Sequence, residues 1–185
     1  MAISTSLLSR ARSGDREATQ EVFEMASKAM KLMEASSGSF DQDEINQKII
    51  FPFMAAANGG HPEAQLVAAN LFMQMSDASD PEIYNQAIGW LRSATDQGLV
   101  AAAVRLTNLL LFNTVPDMEG ALECALKISQ VATENEKGLA VQEYQTLIQF
   151  SESEGYAQAD VFRICIDIVN HGDVVYNEVL KELQS

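Results

Sequence analysis

The sequence predicts an all-α chain: an α-α superhelix, or short solenoid, of stacked helix hairpins closed by C-terminal capping helices. Three observations predict it. First, Ala56, Ala94 and Ala132 recur 38 residues apart. Each closes a similar segment: Ala56-Ala57-Asn58-Gly59-Gly60, Ala94-Thr95-Asp96-Gln97-Gly98 and Ala132-Thr133-Glu134-Asn135-Glu136-Lys137-Gly138. A period of this size marks stacked two-helix units. Second, apolar residues recur three and four apart from Leu7 to Leu183, as a buried helical stripe demands. Third, the strict alternation of β-branched and aromatic residues that marks a half-buried strand is missing.

Gly14-Asp15-Arg16-Glu17-Ala18 opens a first, degenerate unit, and Ser36-Ser37-Gly38-Ser39-Phe40-Asp41 is its loop. From Gly14 to Gly60 is 46 residues, so this unit has a longer connection. The clearest repeat spans 60–97. Its first helix starts around His61-Pro62-Glu63, where a first-turn proline costs no hydrogen bond. Ala64, Ala68, Leu71, Phe72 and Met75 form its stripe, and Ser76-Asp77-Ala78-Ser79-Asp80-Pro81 breaks it. Asp80 is the expected N-cap of the second helix, with Pro81 its first residue. Tyr84, Ala87, Ile88, Leu91 and Ala94 face inward, and Gly98 stops the helix.

The next repeat, 98–137, follows the same plan. Ala102, Leu106, Leu109 and Leu110 form its first stripe, Asn113-Thr114-Val115-Pro116-Asp117 its turn, and Ala121, Cys124, Ala125, Ile128 and Ala132 its second stripe. A shift of 38 superposes Ile49, Ala87 and Ala125, and also Pro52, Trp90 and Ile128. Leu139 to Phe150, Tyr156 to Val169 and Val174 to Leu183 read as three further helices, punctuated by Gly155 and by His171-Gly172. The whole of 1–185 is expected as a single repeat domain with degenerate ends at 5–59 and 138–185. A finite stack requires atypical ends, because its outermost helices face water.

The residues Gly60, Ala64, Gln65 and Phe72, followed by Ala87, Trp90, Ala94, Gln97 and Gly98, resemble the Sel-1-like repeat, a relative of the tetratricopeptide repeat. The following unit keeps Gly98, Ala102 and Leu106, with Thr107 and Leu110 in place of the usual Gly and Tyr. Ala68-Ala69 replaces the usual Leu-Gly, and Gln142 stands where Ala is expected in the third unit. The resemblance covers Gly60 to Ala132. It implies a scaffold, adaptor or chaperone that binds another protein or peptide and has no catalysis of its own.

Charge bounds the partner. Twelve basic residues against 26 acidic ones leave a formal charge of −14. Such a surface repels phosphate backbones and anionic lipid, so nucleic acid and membrane insertion are not expected; it suits a basic protein partner, and the blander reading is solubility alone. No apolar stretch approaches the roughly 18 residues of a membrane span. The first residues lack the basic start and apolar run of a secretion signal. Cys124 and Cys165 sit in apolar helical stretches without CxxC spacing, which points to free thiols in a reducing cytoplasm.

If the first helix of each hairpin lines the concave face, its outward positions are Glu63, Leu66, Asn70, Met73 and Gln74 in one repeat. In the next they are Ala101, Val104, Asn108, Leu111 and Phe112. Asn70 and Asn108 occupy equivalent positions, and asparagine is a poor mid-helix residue. Its amide both donates and accepts, so the pair suits an extended peptide backbone. The expected partner-binding set is therefore Asn70, Met73, Gln74, Val104, Asn108, Leu111 and Phe112. The bland alternatives are solvated asparagines, and apolar side chains packed against the next helix. Leu66 and Val104 occupy the places where a carboxylate clamp would need basic side chains. Trp90 is expected in the core. His61 and His171 lack ligand-spaced neighbours, and no phosphate loop or nucleophile motif occurs, so no catalytic, cofactor or metal residue is assigned. Glu134-Asn135-Glu136 and Glu152-Ser153-Glu154 read as short acidic loops. A second functional class is an immunity or antitoxin-type protein whose acidic surface neutralises a basic effector. A third, an all-α enzyme, requires a pocket of convergent polar groups that the sequence does not reveal.

Overall fold

A computed structural model describes residues 3–36, 41–75, 81–113 and 115–184. All regular structure among them is helical. Contacts divide the chain into two compact units, Met1–Ala94 and Thr95–Ser185.

The N-terminal unit opens with α1 (Thr5–Arg12) and α2 (Arg16–Glu34). Ser4 caps the first by accepting the Leu7 N–H, and Asp15 caps the second by accepting the Ala18 N–H at 3.1 Å. Each satisfies a donor that the first helical turn leaves open. Ala18, Val22 and Ala26 recur every four residues and make the buried stripe of α2. After α3 (Gln42–Ile45) the chain passes without a break through a π-helical turn, Asn46–Ile50, into α4 (Phe51–Asn58). Pro52 explains the wide turn: it lacks an N–H, and its ring crowds the carbonyl four residues earlier. The Phe51 N–H accordingly reaches back to the Asn46 carbonyl.

The first central hairpin is α5 (Pro62–Met75) and α6 (Pro81–Asp96). Helix α6 begins at the expected proline, while the expected cap Asp80 and the segment 76–80 lie outside the described residues. Gln65 meets Ser93 and Phe72 meets Trp90, so the two helices run antiparallel. Helix α4 packs on α1, α2 and α5. Its approach to α1 is close: a Cβ on Gly59 would lie 2.2 Å from the Ala11 carbonyl oxygen, so only glycine fits there. Alanines at 55, 56, 64, 68, 87 and 94 are buried, and their small size brings the backbones together.

In the C-terminal unit, α7 (Val100–Leu111) packs on α8 (Met118–Val131) and α9 (Glu134–Glu154). Helix α10 (Gln158–His171) packs on α8 and α9, and α11 (Asp173–Leu183) on α10 and α8. Phe162, Cys165, Ile168 and Val169 make α10 a core helix, whereas α11 buries no residue fully. The expected acidic loops are helical. Glu134 to Glu136 form the first turn of α9, where Thr133 accepts the Glu136 N–H and Glu136 accepts the Thr133 N–H. This reciprocal box starts the helix, so Gly138, expected to end a repeat, lies inside α9. Glu152 to Glu154 form its last turn, closed by Gly155 at φ 73°.

Positions 38 apart share local structure across the two hairpins. Gly60 and Gly98 have φ of 91° and 89°, a left-handed conformation that ends the preceding helix. Pro62 and Val100 begin α5 and α7. Ile49, Ala87 and Ala125 are buried, as are Pro52, Trp90 and Ile128.

Candidate binding surface

Asn70, Met73 and Gln74 occupy the last two turns of α5, in the N-terminal unit. Gln74 is exposed, while Asn70, Met73 and the neighbouring Leu66 are half-buried. The register behind them is held by polar contacts. Buried Gln65 donates through Nε2 to the Ala57 carbonyl at 3.2 Å and to Ser93 Oγ at 3.0 Å, tying α5 to α4 and α6. Trp90 is in the core, and its indole N–H donates to Asn58 Oδ1 at 3.2 Å. Its ring meets Phe72 edge-on at 5.0 Å. This is how a buried tryptophan satisfies its one polar atom.

Val104, Asn108, Leu111 and Phe112 belong to the C-terminal unit. Val104 and Asn108 are half-buried, as an outward face beside packed neighbours allows. Leu111 departs from expectation. It shares the helical face of Val104 and Asn108, yet its exposure is 0% and it offers no surface to a partner. Helix α7 is covered by both α8 and α9, which widens its buried face to include Ala103, Thr107 and Leu111 beside the expected stripe. Its end is also gripped by α10, since Gln158 Nε2 donates to the Leu111 carbonyl at 3.3 Å. Thr107 donates to the Ala103 carbonyl, so the wholly buried Tyr144 hydroxyl donates to Thr107 Oγ1 at 3.0 Å. Burial drives the Tyr144 pKa well up, which keeps that hydroxyl neutral and donating. Arg105, one turn before Asn108, is half-buried. Desolvation lowers its pKa, but a guanidinium stays charged in proteins.

Phe112 has different surroundings. It stands half-buried at a corner where α7 ends and α9 turns into α10. Its ring lies 6.0 Å from Phe150, 5.7 Å from Tyr156 and 6.0 Å from Phe162. Phe150 and Tyr156 are 6.1 Å apart, and Phe162 continues inward to Tyr144. Phe150 is 50% exposed and Tyr156 46%, whereas Phe162 is buried. Phe150 and Tyr156 are not among the binding residues that the sequence suggests. Their signal in the sequence is that two aromatic side chains flank the Gly155 helix stop.

His61 precedes the first residue of α5 and stacks on Phe23 at 4.0 Å. Its Nε2 lies 2.9 Å from Gln20 Oε1, and its Nδ1 faces the Ala64 N–H at 3.4 Å and Glu63 Oε2 at 3.1 Å. Desolvation lowers its pKa, against the pull of Glu63 and Glu24 in the other direction. The neutral ring, donating to Gln20 and accepting from Ala64, is therefore favoured, and it acts as a cap. Cys124 and Cys165 are buried free thiols, with the Cys165 Sγ directed at the Ala121 carbonyl at 4.0 Å. Among the described residues no group of three or more His, Cys, Asp or Glu could hold a metal ion, and no helix is long and apolar enough to cross a membrane. Comparisons with protein-family models, curated proteins and solved structures found no match to this chain.

Proposed function

We propose that this chain is a non-catalytic protein-binding adaptor or chaperone of the Sel-1-like kind, working in the cytoplasm as a short superhelix. The carrying observation is the equivalence of positions 38 apart. Gly60 and Gly98 share one backbone conformation, and the columns through Ala87 and Trp90 are buried in both hairpins. In repeats of this kind the first helix of each hairpin carries the recognition surface, so α5 and α7 are taken as the recognition helices, each within its own unit. Asn70, Met73 and Gln74 on α5, with Val104 and Asn108 on α7, supply polar and apolar contacts to an extended segment of the partner. Asn70 and Asn108 each offer an amide that both donates and accepts, and Leu111 drops out because it is buried.

The formal charge of −14 favours a second reading, an immunity-type protein that covers a basic effector. Both readings require a protein partner and differ in its charge. Capture on the immobilised full chain from source lysate, followed by mass spectrometry, is the test. A partner retained by the wild type and lost by Asn70→Ala with Asn108→Ala supports the recognition face. Undiminished capture by the double variant, with its helical circular dichroism intact, excludes that face.

A further inference from the structure

The corner formed by Phe112, Phe150 and Tyr156, at the end of α7 in the C-terminal unit, has the makings of a second docking surface. Single exposed apolar residues are ordinary on a protein surface, but a contiguous group of rings is not. Here the rings touch in sequence from the core outward: Tyr144, Phe162, Phe112, then Phe150 and Tyr156. The buried end anchors the exposed end, so the platform is rigid before any partner arrives. Such preorganised aromatic anchors dominate interface energetics.

Charge decides what the platform takes. From Leu139 to Phe162 the chain contains no Lys or Arg, while Glu143, Glu152, Glu154 and Asp160 fall in this stretch. Glu152 and Asp160 both pair with Arg163, and Glu154 is exposed. An aromatic surface in a negative field attracts a cation. Centroid separations of 5.7–6.1 Å put the three rings in direct contact, so they enclose no hole for a compact ammonium group. What remains are open faces and edges. A planar guanidinium stacks on such a face and can turn its N–H groups toward a carboxylate, which a lysine cannot do in the same geometry.

We propose that the Phe112–Phe150–Tyr156 corner docks an arginine-bearing, partly apolar segment of a basic protein. This rests on the protein-binding reading above but not on the face assigned there. The probes are three short synthetic amphipathic peptides of one length, carrying arginine, lysine or glutamate at the charged positions. Each is titrated into the isotope-labelled full chain by calorimetry and by amide chemical-shift mapping. The arginine peptide is expected to bind and to shift amides around residues 112, 150 and 156. The lysine peptide should bind several-fold more weakly and the glutamate peptide not at all. Affinity should fall steeply with salt, because exposed charge pairs are screened beyond about 8–10 Å.

Phe150→Ala with Tyr156→Ala should weaken the arginine peptide at least tenfold, while Asn70→Ala with Asn108→Ala leaves it unchanged. Glu154→Gln, an exposed change that spares the packing, should weaken it by a smaller factor and flatten its salt dependence. Three outcomes overturn the proposal: no arginine-peptide binding, binding indifferent to the aromatic double variant, or binding lost in the asparagine variant alone. The last two leave the protein-binding reading standing. A dimer of the wild type that becomes monomeric on Phe150→Ala, measured by sedimentation, also overturns it, because the corner would then belong to a second copy of this chain.

Discussion

His61 shows how one side chain links packing to solution behaviour. It stacks on Phe23, bonds to Gln20 and caps α5, and burial holds its pKa below the ordinary value of about 6.5. The unfolded chain therefore takes up the proton first as the pH falls. Stability from this site is complete above about pH 6.5 and is lost as pH drops through that value toward the lower folded one. The thermal midpoint should fall between about pH 7.5 and 5.5 in the wild type and fall less in His61→Asn, which keeps a capping acceptor but cannot titrate. Equal slopes for the two proteins would assign the pH response to the carboxylates instead. Leu111 teaches the complementary lesson. Its helical spacing from Asn108 makes it look like a surface residue, and the grip of α9 and α10 on the end of α7 makes it a core residue.

At the level of the helix, glycine acts in two opposite ways. Gly98 sits at φ 89° with open space where a methyl group would stand, so a side chain there meets backbone strain and nothing else. Gly138 lies inside α9, exposed, with no atom near enough to obstruct a Cβ. Gly98→Ala should therefore destabilise by about 1–2 kcal/mol. Gly138→Ala should stabilise by roughly 0.5–1 kcal/mol through helix propensity. Urea unfolding of the two variants measures both signs in one experiment, and a loss of stability in Gly138→Ala would mean that α9 is not continuous through residue 138. The π-helical turn before Pro52 follows the same logic, because a proline inside a continuous helix forces the ladder to widen where its hydrogen bond is missing.

For the whole molecule, the division at Ala94 and Thr95 places the two natural probes apart. Trp90, the one tryptophan in the sequence, reports on the N-terminal unit, while Cys124 and Cys165 report on the C-terminal one. Burial raises the Cys165 thiol far above the ordinary range, so native protein should react slowly with a thiol reagent and only through opening of the C-terminal unit. Each unit has its own buried set, with Val22, Phe53 and Leu91 in one and Ile128, Phe162 and Ile168 in the other. The urea midpoint from Trp90 fluorescence is expected to differ from the midpoint of thiol exposure, since compact units with separate cores can hold separate stabilities. Coincident midpoints would show that the two unfold as one.

Local chemistry makes the helices legible from the chain itself. Apolar spacing of three and four locates α5 to α8, Pro81 and Asp15 mark helix starts, and Gly60, Gly98 and Gly155 mark ends, because these signals act over one or two turns. The capping box at Thr133 and Glu136 is equally local, but the 38-residue period points past it to Gly138 and makes a helix start resemble an acidic loop. The rest depends on partners distant in sequence. Gln158 lies 47 residues from Leu111, and Tyr144 lies 37 from Thr107. No periodicity within α7 announces that α9 and α10 will cover its far end. For the same reason the aromatic corner is not legible in the sequence: Phe112 is brought to Phe150 and Tyr156 by packing, and exposure is a property of what a helix face meets rather than of the helix. The sequence by itself determined where the chain is helical and where it turns. Only the tertiary structure decided which faces are covered, because burial is set by long-range packing while helix formation is set by neighbours along the chain.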